Sequence, residues 1–212
     1  MKILALEFSS PVRSVAVSVD GLVRADAAEQ GGRGMHAFRL IESVLLESGV
    51  VREEIEAIAV GTGPGSYAGI RIAIAIAQGW GLARAVKQIG ISSAEVAAGQ
   101  VTGLAEGQHF HIVIDAQRGE FFGARYQFRA GGSRLVLPFQ LMTEHDWSRA
   151  DEMVFRPDLT APGGPAGQPF PPTASALARL AARVEPCNGS ALEPVYLRPA
   201  AFLKAPLSRL AF

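Results

Sequence analysis

The stretch GTGPGSYAGIR, residues 61–71, is the part of the sequence most similar to a phosphate-binding loop. A P-loop needs a lysine directly after its last glycine, but the first lysine downstream is Lys87. A dinucleotide-binding fingerprint needs a third glycine at the position that Ser66 occupies. The nucleophile elbow of a serine hydrolase needs glycine two residues before and after the serine, where this chain has Pro64 and Ala68. The stretch therefore fits none of these three chemistries.

The residues Gly61, Gly63, Pro64, Gly65 and Ser66 instead predict a structural turn that leads into a helix. The Gly-Pro-Gly sequence lets the backbone leave a strand sharply, and serine is a favourable N-cap because its hydroxyl can accept a hydrogen bond from a free amide of the first turn. An anion bound by those amides is the alternative interpretation.

Two carboxylates stand at the ends of apolar runs that resemble inner strands. Glu7 follows KILAL, and Asp115 follows HIVI. Actin-like ATPases hold magnesium or activate water with carboxylates in such places, so these two residues, with Ser9 and Ser10, form a candidate vestigial nucleotide or phosphate site. The other interpretation is that both carboxylates accept hydrogen bonds from the amides of turns.

Histidine spacing argues against a metal site. The chain has four histidines, His36, His109, His111 and His145, and none has another histidine four residues later. Neither a His-x-x-x-His helix site nor a His-Glu-x-x-His protease site can therefore be built. His109 and His111 share one face of an expected strand, but a pair without a third ligand is more often structural. No metal ligand is predicted.

Composition bounds the remaining possibilities. The 212 residues contain 20 Lys and Arg against 20 Asp and Glu, so no overall field attracts nucleic acid or an anionic membrane. Arg125, Arg129 and Arg134 form either a small basic face or a solvated edge. The single cysteine, Cys187, excludes an internal disulfide and fits a cytoplasmic location. No targeting segment is expected, and no apolar run approaches the roughly 20 residues that span a bilayer.

Hydrophobic patterning predicts three strands followed by alternating helices and strands. The strands are KILALEF, SVAVSVD, LVRADAA, IEAIAV and KQIGI, and Asp20-Gly21 is a hairpin signal between the second and third. Helices are predicted over residues 36–48, 66–84 and 93–100, the last with a Ser92–Glu95 capping box, and over residues 174–184.

The second half of the chain partly repeats the first. HIVIDAQRGEFFGARYQF has the plan of ILALEFSSPVRSVAVSV, with a strand that ends in a carboxylate, a tight turn with an arginine, and a second strand. This repeat predicts an α/β protein with the actin-like ATPase fold, made of two ribonuclease H-like lobes with mixed sheets. The first lobe spans residues 1–103. The second, over residues 104–212, is reduced and contains a Pro/Gly-rich segment at 159–173.

The helix after the turn is unusually apolar. Isoleucines alternate from Ile70 to Ile76 as they would in a strand, but a run of about 20 residues is too long for a strand in a domain of this size. As a helix, it has small residues four apart at Gly69, Ala73, Ala77 and Gly81, a stripe that allows another helix to approach closely. We expect it to be buried on all sides, either by this chain or by a partner.

Three separated motifs make the chain similar to the TsaB (YeaZ) family. They are Gly61–Arg71, Asp115-Ala-Gln-Arg-Gly-Glu120, and Glu193-Pro-Val-Tyr-Leu-Arg198. The resemblance implies a noncatalytic subunit of the bacterial machinery that puts the threonylcarbamoyl group on adenosine 37 of tRNAs reading ANN codons. It implies that the chain binds and orders a TsaD-like catalytic subunit. The glycoprotease activity once attributed to the wider group has no matching residues here.

The resemblance also implies partners and an interface. A TsaE-like ATPase joins the assembly, the chain forms homodimers when alone, and any contact with tRNA is indirect or weak. ATP, ADP and metal belong to partner subunits, although a nucleotide at the partner interface is compatible with the resemblance. The family's dimerisation surface maps to the first two long helices. The candidate interface residues are His36, Phe38, Leu40, Leu45, Tyr67, Ile70, Ala73, Ile74, Ala77 and Trp80.

One departure from the family bears on catalysis. Glu7 stands where the family usually has aspartate, which weakens the case for nucleotide hydrolysis in the first lobe. The competing hypothesis is an actin-like ATPase or small-molecule kinase that uses Glu7 and Asp115.

Overall fold

The structure is a computed structural model that describes residues 1–30, 36–117, 120–142, 152–157, 167–184 and 192–197. The strands are β1 (Lys2–Glu7), β2 (Val12–Val19), β3 (Leu22–Gln30), β4 (Ala57–Gly61), β5 (Lys87–Ile91), β6 (His109–Gln117), β7 (Glu120–Arg129), β8 (Gly132–Met142), β9 (Met153–Arg156) and β10 (Gln168–Pro169). The helices are α1 (Ala37–Ser48), α2 (Tyr67–Ala83), α3 (Ser93–Gln100) and α4 (Ala174–Ala181).

The strands form two sheets with the same topology. The first sheet has the order β3-β2-β1-β4-β5 and the second has the order β10-β9-β6-β7-β8. In the first sheet, β1 pairs antiparallel with β2 and β2 with β3, while β4 lies parallel to β1 and β5 parallel to β4. The second sheet repeats this plan: β6, β7 and β8 are antiparallel, β9 is parallel to β6, and β10 is parallel to β9. This is the ribonuclease H-like arrangement, and its occurrence twice confirms the predicted fold class.

Local sequence explains the hairpin turn between β2 and β3. Asp20 and Gly21 both have positive φ angles, 52° and 80°, as a two-residue hairpin turn requires.

The side chains of β1 alternate between the two faces of the sheet, as the two-residue period of a strand requires. Leu4 and Leu6 point to the core beneath α1 and α2, and Ile3 and Ala5 point to the core beneath α4.

Both faces of the first sheet are therefore covered. Helices α1 and α2 cover one face, and α4, which comes from the second half of the chain, covers the other. The amide of Ala174 at the start of α4 donates to Ser14 Oγ of β2 at 2.8 Å, which ties the two halves of the chain together. Helix α3 packs on the second sheet, where Ala94, Ala97 and Ala98 meet Phe110 and Ile112.

The predicted capping box of α3 is wrong. The helix spans Ser93–Gln100, but the Ser92 side chain makes no capping hydrogen bond. Its hydroxyl instead donates to the carbonyl of Gly63 at 3.2 Å, and the amide of Ser93 donates to the same carbonyl at 2.7 Å. The start of α3 is thus fixed by the glycine turn that precedes α2.

Candidate partner-binding surface

The glycines of residues 61–69 allow the turn and α2 to approach the end of β1. A Cβ added to Gly65 would lie 2.1 Å from the carbonyl oxygen of Ser9, and one added to Gly69 would lie 2.0 Å from that of Phe8. The amide of Ser66 donates to the Ser9 carbonyl at 2.7 Å. The chain's own backbone therefore packs directly against the glycine turn and the start of α2.

Hydrogen bonds within the chain also satisfy amides at the start of α2 and in the turn before it. Ser66 is the N-cap, and its hydroxyl accepts a hydrogen bond from the Gly69 amide at 3.3 Å, as predicted. Gly63 has a φ of +94°, a conformation that favours glycine, and its amide donates to Ser93 Oγ at 3.0 Å. These internal bonds use the amides of Gly63, Ser66 and Gly69, which argues against the alternative that this turn binds an anion.

Glu7 is sealed at the end of β1 in the first sheet. Its side chain has no exposed surface, and Oε1 accepts hydrogen bonds from the Ser9 amide at 2.9 Å and from Ser93 Oγ at 3.2 Å. Its Oε2 makes no hydrogen bond within the described part of the chain, and it lies 1.9 Å from where a Cβ of Gly61 would be. Burial raises the pKa of this carboxyl, against the opposing effect of its hydrogen bonds.

The candidate nucleotide site is corrected by this packing. Ser9 and Ser10 are also buried, and Ser10 Oγ donates to the carbonyl of Val12 at 2.7 Å. With Glu7 enclosed between them and the glycine turn, these three residues offer a phosphate almost no accessible surface. Asp115 lies near the end of β6, in the other sheet, and is half-buried.

Half of the predicted interface residues belong to the chain's own core. Ala73 and Ala77 have no exposed surface, and Ile70, Ile74 and Leu45 are also buried beneath α1 and α2. The expectation that these five side chains meet a partner is therefore corrected. The small residues Ala73 and Ala77 face the sheet, because the close approach that they permit is to its strands, β4, β1 and β5, rather than to another helix.

The other half of the predicted set lies on the outer side of the same two helices. Phe38 is 68% exposed and Tyr67 is 59% exposed, while Leu40 and Trp80 are half-buried and His36 is exposed. Within the part of the chain that the structure describes, α2 is thus covered on its inner face only, so of the two expected covers for its outer face, this chain or a partner, the described residues do not supply the first.

An apolar groove runs between α1 and α2. It has a volume of about 560 Å³. The residues that line it are Ala37, Phe38, Ile72, Ala75, Ile76, Gly79 and Trp80. Gly79 has open space where a Cβ would be, so it widens the groove. None of these side chains carries a charge, and a groove of this composition suits an apolar protein surface.

Sequence patterns did not predict a cluster of three exposed residues, Tyr67, Arg71 and Tyr196, beside the start of α2. Arg71 lies over the ring of Tyr67, with 4.0 Å between its Cζ and the ring centroid, and its Nε donates to the hydroxyl of Tyr196 at 3.1 Å. Arg71 and Tyr196 belong to two of the family motifs, and the fold brings them together across 125 residues. The motifs contained the signal, but only the fold could show the contact.

The second sheet carries a different polar cluster. Arg125 donates to Glu152 through Nε at 3.0 Å and through a second, shorter bond from Nη2, and His111 Nε2 lies 2.9 Å from the same carboxylate. The hydrogen bond from Arg125 lowers the pKa of Glu152, and burial lowers the pKa of His111. Arg125 is thus paired with an acid, which argues against the basic face as the interpretation of this residue.

Two further observations concern sites of other kinds. Among the residues that the structure describes, no three His, Cys, Asp or Glu side chains come close enough to hold a metal ion. None of the helices described is long and apolar enough to cross a membrane. His145, Cys187, Arg118 and Arg198 lie outside the described residues.

The comparisons with known proteins agree with the motifs. A family model described as "TsaD: tRNA N6-adenosine threonylcarbamoyltransferase" matches residues 35–143, slightly more than half of the chain. The tRNA threonylcarbamoyladenosine biosynthesis protein TsaB of Escherichia coli is 34% identical over 131 residues, which are 60% of this chain and 55% of that protein. Its Bacillus subtilis namesake is 28% identical over 69% of this chain and 64% of its own length. The matched region thus spans between half and two thirds of these curated relatives.

Solved structures cover more of the chain. YeaZ from Pseudomonas aeruginosa superposes with a TM-score of 0.75 at 25% identity, over 92% of this chain and 99% of that one. A second structure, described as an uncharacterized protein with similarity to peptidase YEAZ from the same organism, has a TM-score of 0.74 at 28% identity over 93% of this chain and 99% of its own. The chain belongs to the family described by the TsaD model, and its relatives place it in the TsaB (YeaZ) group of that family.

Proposed function

We propose that this chain is a noncatalytic subunit in the formation of threonylcarbamoyladenosine at position 37 of tRNAs that read ANN codons. In this proposal it acts in the cytoplasm, where it binds and orders a TsaD-like catalytic subunit through the outer faces of α1 and α2. The names of its relatives and the description of the family model support the process. The open faces of the two helices support the mode of action.

The observation that carries the proposal is the apolar groove between α1 and α2. Phe38 stands exposed at its rim, and Ile72 and Ile76 are only half-buried in its wall. Leaving such a surface in water is unfavourable, and aromatic residues in apolar pockets are typical anchors of protein interfaces. A specific interface buries about 800 Å² on each partner, which is within the reach of two helices of this length.

The noncatalytic role is supported by the first lobe. Glu7, the residue on which nucleotide chemistry in this lobe would depend, is enclosed and hydrogen-bonded to the backbone of its own turn. ATP, ADP and metal then belong to the TsaD-like and TsaE-like subunits, and a nucleotide at the partner interface would be shared with them. When the partner is absent, we expect a second copy of the chain to cover the groove, which gives a homodimer.

The proposal is tested by placing a charge in the groove. Ala75→Arg and Phe38→Arg change exposed positions, so the variants should fold, yet each should weaken binding to the TsaD-like protein of the same genome by about ten-fold or more. Leu22→Arg is the matched control, because Leu22 is exposed and apolar but is the first residue of β3, away from α1 and α2. Calorimetric titration gives the affinities, and a tRNA modification assay with and without this chain reports its contribution.

Two results would contradict the proposal. If both groove variants bound the TsaD-like protein as tightly as the unmodified chain, the surface would be wrong. If the chain alone turned over ATP and Asp115→Ala abolished the turnover, the competing hypothesis of an actin-like ATPase or kinase would be supported instead.

A further inference from the structure

The segment Leu192–Leu197 crosses the glycine turn as a strap. The amide of Val195 donates to the carbonyl of Thr62 at 2.8 Å, and Leu192 is buried in the core of the first lobe. Gly90 of β5 lacks a side chain where Leu192 packs: a Cβ there would lie 3.0 Å from Leu192 Cδ2. Strand β5 thus leaves room for the strap. These contacts fix Tyr196 beside the start of α2.

Arg71 is held between the strap and its own helix. Tyr196 accepts a hydrogen bond from Arg71 Nε, and the ring of Tyr67 lies beneath the guanidinium. The two tyrosine rings are 6.0 Å apart at an angle of 35°, so they flank the same cation. An arginine fixed in this way has already lost much of its side-chain freedom, which reduces the entropic cost of binding a ligand.

The charge of Arg71 is not balanced within the described structure. No carboxylate in the described ranges lies within 4.0 Å of its guanidinium, unlike Arg52, which pairs with Glu42, and Arg125, which pairs with Glu152. The hydrogen bond that Arg71 donates to the neutral hydroxyl of Tyr196 is the largest cause that raises the pKa of Arg71. The terminal nitrogens of the guanidinium thus keep their donors for a partner that this part of the chain does not supply.

The position of Arg71 makes it part of the surface already described. Positions 71, 75 and 79 succeed one another at four-residue spacing along the outer side of α2, and all three residues are exposed. Ala75 and Gly79 line the groove. Whatever covers the groove along α2 therefore reaches Arg71 at the end of the same helix face.

We propose that Arg71, oriented by Tyr67 and Tyr196, binds a carboxylate of the protein that covers α1 and α2. This inference rests on the proposed function and identifies the chemistry that the partner must present: an apolar surface with an acidic side chain at one end. The planar fork of donors on arginine matches a carboxylate or a phosphate. The carboxylate is favoured because the neighbouring groove residues are uncharged, whereas nucleic-acid surfaces gather several cations.

The test uses full-length variants and the TsaD-like protein of the same genome. Arg71→Gln should weaken binding by about ten- to a hundred-fold, because the partner's carboxylate would be left buried without its charge. Tyr196→Phe keeps the charge but removes the hydroxyl that orients it, and it should weaken binding about three- to ten-fold. Arg179→Gln, at an exposed arginine of α4 on the opposite face of the sheet, is the matched control and should bind normally.

Salt dependence and charge exchange identify the group that Arg71 contacts. Affinity of the unmodified chain should fall between low and high salt more steeply than affinity of Arg71→Gln. Binding lost in Arg71→Glu should be restored by one Asp→Lys or Glu→Lys substitution in the partner. Melting temperatures close to that of the unmodified chain would show that the variants are folded.

The outcomes separate this inference from the proposed function. If Ala75→Arg lost the partner while Arg71→Gln bound it normally, the carboxylate contact would be refuted and the groove would stand. If Arg71→Gln lost affinity for tRNA but not for the protein, the ligand of Arg71 would be a phosphate and the inference would be wrong. If the unmodified chain did not bind the TsaD-like protein, both proposals would fail together.

Discussion

The two sheets of the molecule place a carboxylate at the end of the same central strand but enclose it differently. In the first sheet, helices cover both faces, and the glycine turn and Ser93 close over the end of β1, so Glu7 is fully buried. In the second sheet, Asp115 is half-buried at the end of β6. Equal topology thus does not imply equal chemistry, because the layers around a strand decide whether its terminal acid can meet a ligand.

The two sheets also neutralise their acids in opposite ways. Glu7 has no cation beside it in the described structure, and burial raises its pKa, which favours the protonated acid. Glu152, beside the second sheet, accepts hydrogen bonds from the guanidinium of Arg125, and this lowers its pKa and favours the carboxylate. We therefore expect ionisation of Glu7 to destabilise the first sheet and ionisation of Glu152 to stabilise the second.

The largest expected effect comes from placing a charge within the core of the first sheet. Ala73→Arg or Ala77→Arg would put a guanidinium where the native side chain has no exposed surface, and we expect a loss of about 3–5 kcal/mol or a chain that does not fold. Thermal and urea denaturation measure this loss.

Ala75→Arg is the matched control for that experiment, because it makes the same substitution at an exposed position of the same helix. Its melting temperature should stay near that of the unmodified chain. Cooperative, native-like unfolding of Ala73→Arg and Ala77→Arg would show that α2 is rotated relative to the sheet, and the small residues would then face outward after all.

A smaller effect is expected from Gly61, whose missing side chain makes room for Glu7. Gly61→Ala would place a Cβ 1.9 Å from Glu7 Oε2, and we expect overpacking to cost about 1–3 kcal/mol. Glu7→Asp shortens the acid, so Gly61→Ala should cost clearly less in a Glu7→Asp background. Denaturation of the two single variants and the double variant gives the coupling energy.

Gly131→Ala provides a contrast, although its positive φ of 96° adds strain, because a Cβ there meets nothing within 4 Å. Its cost should not change in the Glu7→Asp background. Additive effects of Gly61→Ala and Glu7→Asp would mean that Glu7 does not occupy the space beside Gly61.

Much of this arrangement could be read from the sequence, and the parts that could not are those that depend on long-range packing. Alternating residues identified β1 and β2, and Asp20-Gly21 identified the turn of the next hairpin, because these patterns are local. The edge strand β8 was not predicted, since Pro138 lies within it and its outer residues are exposed without a polar alternation.

For the candidate site, composition showed that α2 must bury apolar surface but not which side it buries. The stripe of small residues that contains Ala73 and Ala77 would allow close packing against another helix or against the chain's own sheet, and the sequence pattern does not distinguish the two. The closure over Glu7 and the contact between Arg71 and Tyr196 join residues that are 86 and 125 positions apart, respectively, so no local pattern could reveal them.

The smallest expected effect is a difference in pH dependence between the two acids. The raised pKa of Glu7 gives a contribution to stability that is present below the usual glutamate pKa of about 4.3 and is lost as pH rises through the raised value. Glu7→Gln, which cannot ionise, should therefore gain stability relative to the unmodified chain as pH rises, by at most about 1.4 kcal/mol per pH unit. Glu152 should behave oppositely, because its pKa is lowered: Glu152→Gln should cost about 1 kcal/mol at neutral pH, and the cost should vanish as pH falls through the lowered pKa. Melting curves from about pH 2 to pH 8 for both variants measure the two slopes, that of Glu152 below the usual glutamate pKa and that of Glu7 above it. Parallel slopes for the two variants would show that Glu7 and Glu152 share one electrostatic environment, and the contrast between the two sheets would then be wrong.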